Sequence, residues 1–150
     1  MPQSLARILV HLVFSTKNRA GSIPGWMEKD LHDFLAGTLR DLGCVPIQVG
    51  GMPDHVHLLF GLGRTQPIAV VVEEVKKLSS KWVKEMDPAS TDFYWQKGYG
   101  VFSVSSSHTD AVASYIRNQK VRHQEVSFQD EFRLLLGKNG VDFDERYVWD

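Results

Sequence analysis

One cysteine in 150 residues, Cys44, leaves no internal disulfide and no cysteine-built zinc cluster. Such usage suits a reducing compartment, and Cys44 itself reads as a small buried hydrophobe opening a strand. Long apolar runs are missing as well. The stretch from Ile8 to Phe14 is far too short to cross a bilayer, and no basic n-region or small-residue cleavage site marks a signal peptide. The expectation is a cytoplasmic protein with no membrane partner. There is no internal repeat, low-complexity tract or linker long enough to divide the chain, so residues 1–150 read as one domain.

A surplus of one charge is also absent, since the net charge is −1. That balance hides an asymmetry. Residues 1–124 carry 14 Lys/Arg against 11 Asp/Glu, whereas residues 125–150 carry 3 against 7. A mildly basic body with an acidic C-terminal helix and tail neither demands nor excludes a polyanionic partner. The composition, 43% hydrophobic with 11% aromatics, suits a packed core rather than disorder.

Hydrophobic periodicity divides the chain into elements. Leu5 to Ser15 reads as a central strand, and Trp26 to Leu42 as a helix stopped by Gly43. Val45 to Val49 and His55 to Leu62 read as a hairpin turning through Gly50-Gly51-Met52-Pro53-Asp54. Thr65 to Met86 is the longest helical stretch, followed by a strand within Phe93 to Ser105. Thr109-Asp110 can cap a helix holding Tyr115, and Ser127 can cap Phe128 to Leu136. The order predicts an α+β, ferredoxin-like split βαβ with an antiparallel sheet, helices on one face and additional C-terminal helices.

The tripeptide His55-Val56-His57 carries the most chemistry. Strand alternation sends both imidazoles to one face, spaced to share a divalent cation, while Val56 and Leu58 face the other way. A lone His-x-His also fits two satisfied strand histidines. Asp54 can orient an imidazole or simply cap the turn. Downstream, Tyr115 and Gln119 fall one turn apart on a helix. Two imidazoles and an amide oxygen without thiolates favour Mg2+ or Mn2+, with Zn2+ as an in vitro substitute. A phenol beside such an ion suits phosphoryl transfer with Tyr115 as nucleophile; the bland alternative is a Tyr packed on the sheet.

Several blocks stand in one order. They are His11-Leu12-Val13-Phe14-Ser15-Thr16-Lys17-Asn18-Arg19, then Gly51-Met52-Pro53-Asp54-His55-Val56-His57-Leu58-Leu59, then Ser79-Ser80-Lys81-Trp82. Trp95 to Ser105 and Tyr115-Ile116-Arg117-Asn118-Gln119 follow. Over nearly its whole length the chain resembles the HUH-type single-tyrosine transposases of small bacterial insertion sequences and the repeat-associated tyrosine transposases related to them. The resemblance implies that His55, His57 and Gln119 hold the metal and that Tyr115 cuts single-stranded DNA. It further implies hairpin-ended DNA as substrate, a phosphotyrosine intermediate and a homodimer in which one subunit's tyrosine helix can complete the other's site.

Other residues carry two readings. Lys17, Arg19, Lys81, Arg117 and Lys120 are candidate phosphate contacts, although a solvated helix face accounts equally well for the lysines between 76 and 84. Trp95, Tyr99 and Phe102 can stack on unpaired bases or belong to the core. His11 is a candidate partner behind the metal ligands; His32, His108 and His123 read as structural or surface residues. Two further functions fit the same residues: a catalytically idle hairpin-binding relative, and a phosphodiesterase using water in place of Tyr115.

Overall fold

The structure, a computed structural model, describes residues 2–150. Four strands, β1 (Leu9–Ser15), β2 (Val45–Met52), β3 (His55–Gly61) and β4 (Gly100–Val104), form one antiparallel sheet in the order β2-β3-β1-β4. The helices are α1 (Gly25–Asp41), α2 (Ile68–Met86), α3 (Thr109–Arg117), α4 (Gln119–Arg122) and α5 (Phe128–Lys138). This is the α+β architecture that the pattern predicts. The split-βαβ helices α1 and α2 pack on one face, as expected, and the additional C-terminal helices α3 to α5 cover the other.

Strand alternation decides what each face holds. Val10, Leu12 and Phe14 of β1, with Val56, Leu58 and Phe60 of β3, join Leu31, Leu35 and Leu39 of α1 and Val71 and Val75 of α2 in the main core. Burying one Leu or Phe contributes roughly 1.5–3 kcal/mol, so this layer can carry the stability of the fold. The opposite face is thereby free to hold His11, His55 and His57, all buried.

Several boundaries differ from the sequence expectation. The glycines Gly50 and Gly51 stay in β2, paired with His57 and Val56, so the hairpin loop is only Pro53-Asp54. α2 starts at Ile68, because Pro67 occupies its N-cap. Only Gly100–Val104 of the 93–105 stretch joins the sheet as a strand; Trp95 makes an isolated bridge to Thr16. Gly43 adopts φ 80° behind α1, and Ser127 Oγ accepts from the Asp130 N–H, both as expected.

Two close approaches seat the helices over the histidine face. A Cβ on Gly50 would lie 2.8 Å from Ile116 Cγ2 and 2.8 Å from the Ile116 carbonyl oxygen, so α3 rests directly on β2. A Cβ on Gly100 would lie 2.5 Å from the Phe132 ring, so α5 rests on β4 in the same way. The motif residues of 95–99 serve the fold. Trp95 Nε1 donates to Ser79 Oγ at 2.9 Å, Gln96 Oε1 accepts from the Ser15 N–H, and Lys76 Nζ donates to the carbonyls of Gln96, Lys97 and Gly98.

Candidate metal and nucleophile site

His55 and His57 point side by side from β3 into the layer beneath α3, α4 and α5, and neither is exposed to solvent. Each has its Nδ1 engaged from behind. Asp54 Oδ1 lies 2.6 Å from His55 Nδ1, and His11 Nε2 lies 2.8 Å from His57 Nδ1. Asp54 thus orients an imidazole rather than merely closing the turn. With both Nδ1 atoms occupied, the two Nε2 atoms converge on one spot.

Three side chains from the helices meet them there. Gln119 Oε1 lies 2.9 Å from His55 Nε2, and Glu131 Oε1 lies 2.9 Å from His57 Nε2 and 3.5 Å from His55 Nε2. The Tyr115 hydroxyl donates to Glu131 Oε2, which also accepts from Gln119 Nε2 at 3.0 Å. Arg122 stacks over the Tyr115 ring at 5.1 Å, its Nε 3.3 Å from Glu131 Oε2 but without a directional hydrogen bond. His123 Nε2 lies 2.9 Å from Gln119 Oε1 while its Nδ1 donates to the Val126 carbonyl.

Sequence reasoning placed Tyr115 and Gln119 on one helix. Instead the chain bends at Asn118, so Tyr115 sits near the end of α3 and Gln119 opens α4. The two side chains still meet at the same carboxylate. His11 sits against His57, at its Nδ1. His123, which the sequence reads as structural or surface, has its side chain buried at the edge of the cluster, 3.2 Å from Glu131 Oε2.

Glu131 was missed altogether. Its signal was present: it falls i+3 from Phe128 and beside Phe132, on the apolar stripe of a short helix, where a carboxylate needs a reason. The acidic segment contributes its one fully buried carboxylate to this site.

Charge follows from burial and partners. Burial alone would lower the His55 imidazole, yet hydrogen bonds to Asp54, Glu131 and Gln119 raise it to about 9. Burial, then the adjacent His57, hold His11 down at about 3, and burial also lowers His57. Burial would raise Glu131, but bonds from His123, His55 and His57 keep it far below the usual carboxylate range. Burial and then Glu131 push the Tyr115 phenol well up. At neutral pH the cluster therefore pairs a His55 imidazolium with a Glu131 carboxylate and keeps Tyr115 protonated.

The donor set fits a hard divalent cation. One ligand atom each from His55, His57 and Glu131 lie within 4.8 Å of one another, and Gln119 adds an amide oxygen. Adjacent ligands of an octahedral ion with bonds of about 2.1 Å stand about 3 Å apart, close to the spacings seen. No thiolate is present to favour a softer ion.

The candidate phosphate contacts scatter. Lys17 and Arg19 lie just past β1, with Arg19 stacked over Trp149 at 5.6 Å. Lys81 is exposed on α2, across the sheet from the site. Arg117 reaches Gln48 and Lys120 pairs with Glu28 at 3.0 Å, so both turn toward β2 and α1 rather than the histidines. Trp95 and Phe102 are buried core residues, leaving Tyr99 as the exposed aromatic of the three. No helix among the described residues is long and apolar enough to cross a membrane.

The chain belongs to the IS200-like transposase family, whose model matches residues 4–119. It is 27% identical over 114 residues to the ISDra2 transposase TnpA of Deinococcus radiodurans, covering 73% of this chain and 81% of that one. A Deinococcus radiodurans R1 protein solved as a candidate transposase superposes with TM-score 0.62 at 27% identity, over 79% of this chain and 98% of its own. A REP-associated tyrosine transposase bound to a REP hairpin superposes with TM-score 0.62 at 15% identity, over 84% and 74%, and shares the fold.

Proposed function

We propose that this transposase nicks and rejoins single-stranded DNA through a covalent bond to Tyr115, with Mg2+ or Mn2+ held by His55, His57 and Gln119. The observation that carries this reading is the position of the Tyr115 hydroxyl, bonded to a carboxylate that touches His57 at 2.9 Å. A phenol packed on the sheet for its bulk alone would not need to reach that cluster.

In the reaction the Tyr115 oxygen attacks the scissile phosphorus. A Tyr–O–P bond forms, the bond from phosphorus to one deoxyribose oxygen breaks, and that oxygen takes a proton while the phenol loses its own. The phosphotyrosine preserves the ester's energy, so a deoxyribose hydroxyl can later displace Tyr115 and reseal a strand without a nucleotide cofactor. Bound beside it, the divalent ion supplies charge that polarises the phosphodiester and stabilises its transition state. Asp54 and His11 fix the imidazoles in place from behind, and Glu131 Oε2 holds the phenol proton before attack.

The substrate we assign is single-stranded DNA with hairpin ends, in keeping with the hairpin held by the REP-associated relative. Lys17 and Arg19, just past β1 and set against Tyr94 and Trp149, are the better phosphate contacts, whereas Arg117 and Lys120 are engaged by Gln48 and Glu28. The phenol and both histidines meet within one chain, which supports Tyr115 serving its own subunit's ligands; in a homodimer the same helix can instead complete the partner's site.

The test incubates the protein with a labelled hairpin oligonucleotide and Mn2+ and resolves the products on a denaturing gel. A covalent adduct that vanishes in Tyr115→Phe and in His57→Ala is expected. Free fragments without an adduct would favour hydrolysis by water, and binding without cleavage would favour an idle hairpin-binding protein.

A further inference from the structure

Glu131 lies outside the segment that matches the family, residues 4–119, yet His55, His57, Tyr115, Gln119, Arg122 and His123 all converge on its carboxylate. Its carboxylate is unexposed, on a helix whose neighbouring turns bury Phe128, Phe132 and Leu136. A carboxylate placed there must be matched by positive charge, or its burial costs several kcal/mol.

The ligand set without Glu131 is wholly neutral: two imidazoles and an amide. A dication on those three alone would carry its full charge into a layer walled by Phe128 and Phe132, with the partly exposed Asp54 behind His55 as its only nearby anion and none in contact until a DNA phosphate arrived. Glu131 removes that difficulty. Its Oε1 stands 2.9 Å from His57 Nε2 and 3.5 Å from His55 Nε2, the place of a neighbouring ligand on the same ion. Its other oxygen is turned to the Tyr115 hydroxyl.

We infer that Glu131 is an anionic ligand of the metal site, supplied by α5, which lets the ion bind before DNA arrives while its second oxygen positions Tyr115. This rests on the metal-and-tyrosine reading above and adds to it a charged ligand, an order of binding and a positioning role. The site belongs to the whole chain through α5 rather than to the matched segment alone.

The experiment measures Mn2+ binding by calorimetry on the full chain without DNA. Wild type is expected to bind; Glu131→Gln is expected to bind about tenfold more weakly or worse, with affinity recovering when a hairpin oligonucleotide is added. Equal affinity in Glu131→Gln, with binding lost in His57→Ala, would overturn the Glu131 assignment and leave the histidine site intact. No Mn2+ binding by wild type, with or without DNA, would overturn both readings. Should Glu131→Gln not fold, wild-type protein labelled with 13C-carboxyl glutamate decides the matter. An electron–nuclear double-resonance coupling from bound Mn2+ to a carboxyl carbon supports ligation, and its absence refutes it. The positioning half is read on the Tyr115 ring 13Cζ resonance, assigned with Tyr115→Phe. That resonance should move in Glu131→Gln; an unmoved one refutes the positioning role.

Discussion

His11 Nε2 lies 2.8 Å from His57 Nδ1, two buried rings stacked with centroids 5.0 Å apart. Glu131 as a carboxylate can only accept, so His57 Nε2 donates to it and His57 Nδ1 accepts from His11 Nε2–H. Binding of an ion at Nε2 would move the His57 proton to Nδ1 and reverse the bond. His11 is a reversible partner, and an amide can imitate it in either sense.

This relationship sets a pH dependence for the metal-free chain. His11 is held at about 3 when folded and returns to 6.5 when unfolded. Between those values the unfolded chain binds the extra proton, so stability falls as pH drops below about 6.5. One such proton is worth at most ~1.4 kcal/mol per pH unit. His55, raised to about 9, has the opposite sign: its contribution is complete below 6.5 and is lost as pH rises toward 9. His11→Gln should flatten the acid limb in urea melts between pH 6.5 and 4 and leave the alkaline limb alone. An acid limb of unchanged slope would show that His11 titrates normally.

Asp54 should matter to the ion although it need not touch it. Its Oδ1 lies 2.6 Å from His55 Nδ1 and turns the ring so that Nε2 faces inward. Removing such a partner costs about 10–100-fold in metal affinity. Asp54→Ala should weaken Mn2+ binding by that order in calorimetry, and Asp54→Asn, which keeps an oxygen, by less. Equal losses in both would mean that the carboxylate's charge matters and its bond to the ring does not.

Gly50 holds the tyrosine helix at its distance from the sheet. Adding a methyl there would meet Ile116 side chain and backbone at 2.8 Å, and backbone cannot yield as a flexible side chain can. Gly50→Ala should destabilise the fold by about 1–3 kcal/mol in urea melts and cut adduct formation more than that loss explains. An adduct yield that tracks only the folded fraction would rule out a placement role for this contact.

Ser127 offers a milder perturbation of the same site. Its hydroxyl caps α5 by accepting from the Asp130 N–H at 3.2 Å, one residue before Glu131. Ser127→Ala should cost about 1 kcal/mol. Hydrogen exchange should place the loss in α5, with the α1 and α2 amides unaffected; a loss spread evenly over the chain would count against a local cap.

Much of this was legible in residue order. Alternation in β3 put His55 and His57 opposite Val56 and Leu58, because a period of two has no other solution on a buried strand. The glycines at 50 and 51 misled, since local turn preference yields when a neighbouring strand supplies pairing. Glu131 and His123 escaped because their role exists only after α5 folds back on β4. No spacing in the sequence encodes a contact between residues 57 and 131. Lys76 likewise looked like a solvated helix lysine, whereas its ammonium bonds three carbonyls and is lowered to about 8 by burial.

The bend at Asn118 has a consequence for how the cluster is held together. In an unbroken helix, residues four apart are locked about 6 Å along a common axis. Here Tyr115 and Gln119 ride on separate rods joined at one residue with φ −96° and ψ 21°. Tyr115 is placed by α3, which rests on β2 through Ile116, whereas Gln119 is placed by α4 beyond the bend. The two side chains thus reach one carboxylate from separately anchored segments, so a substitution that shifts α3 need not move the Gln119 amide.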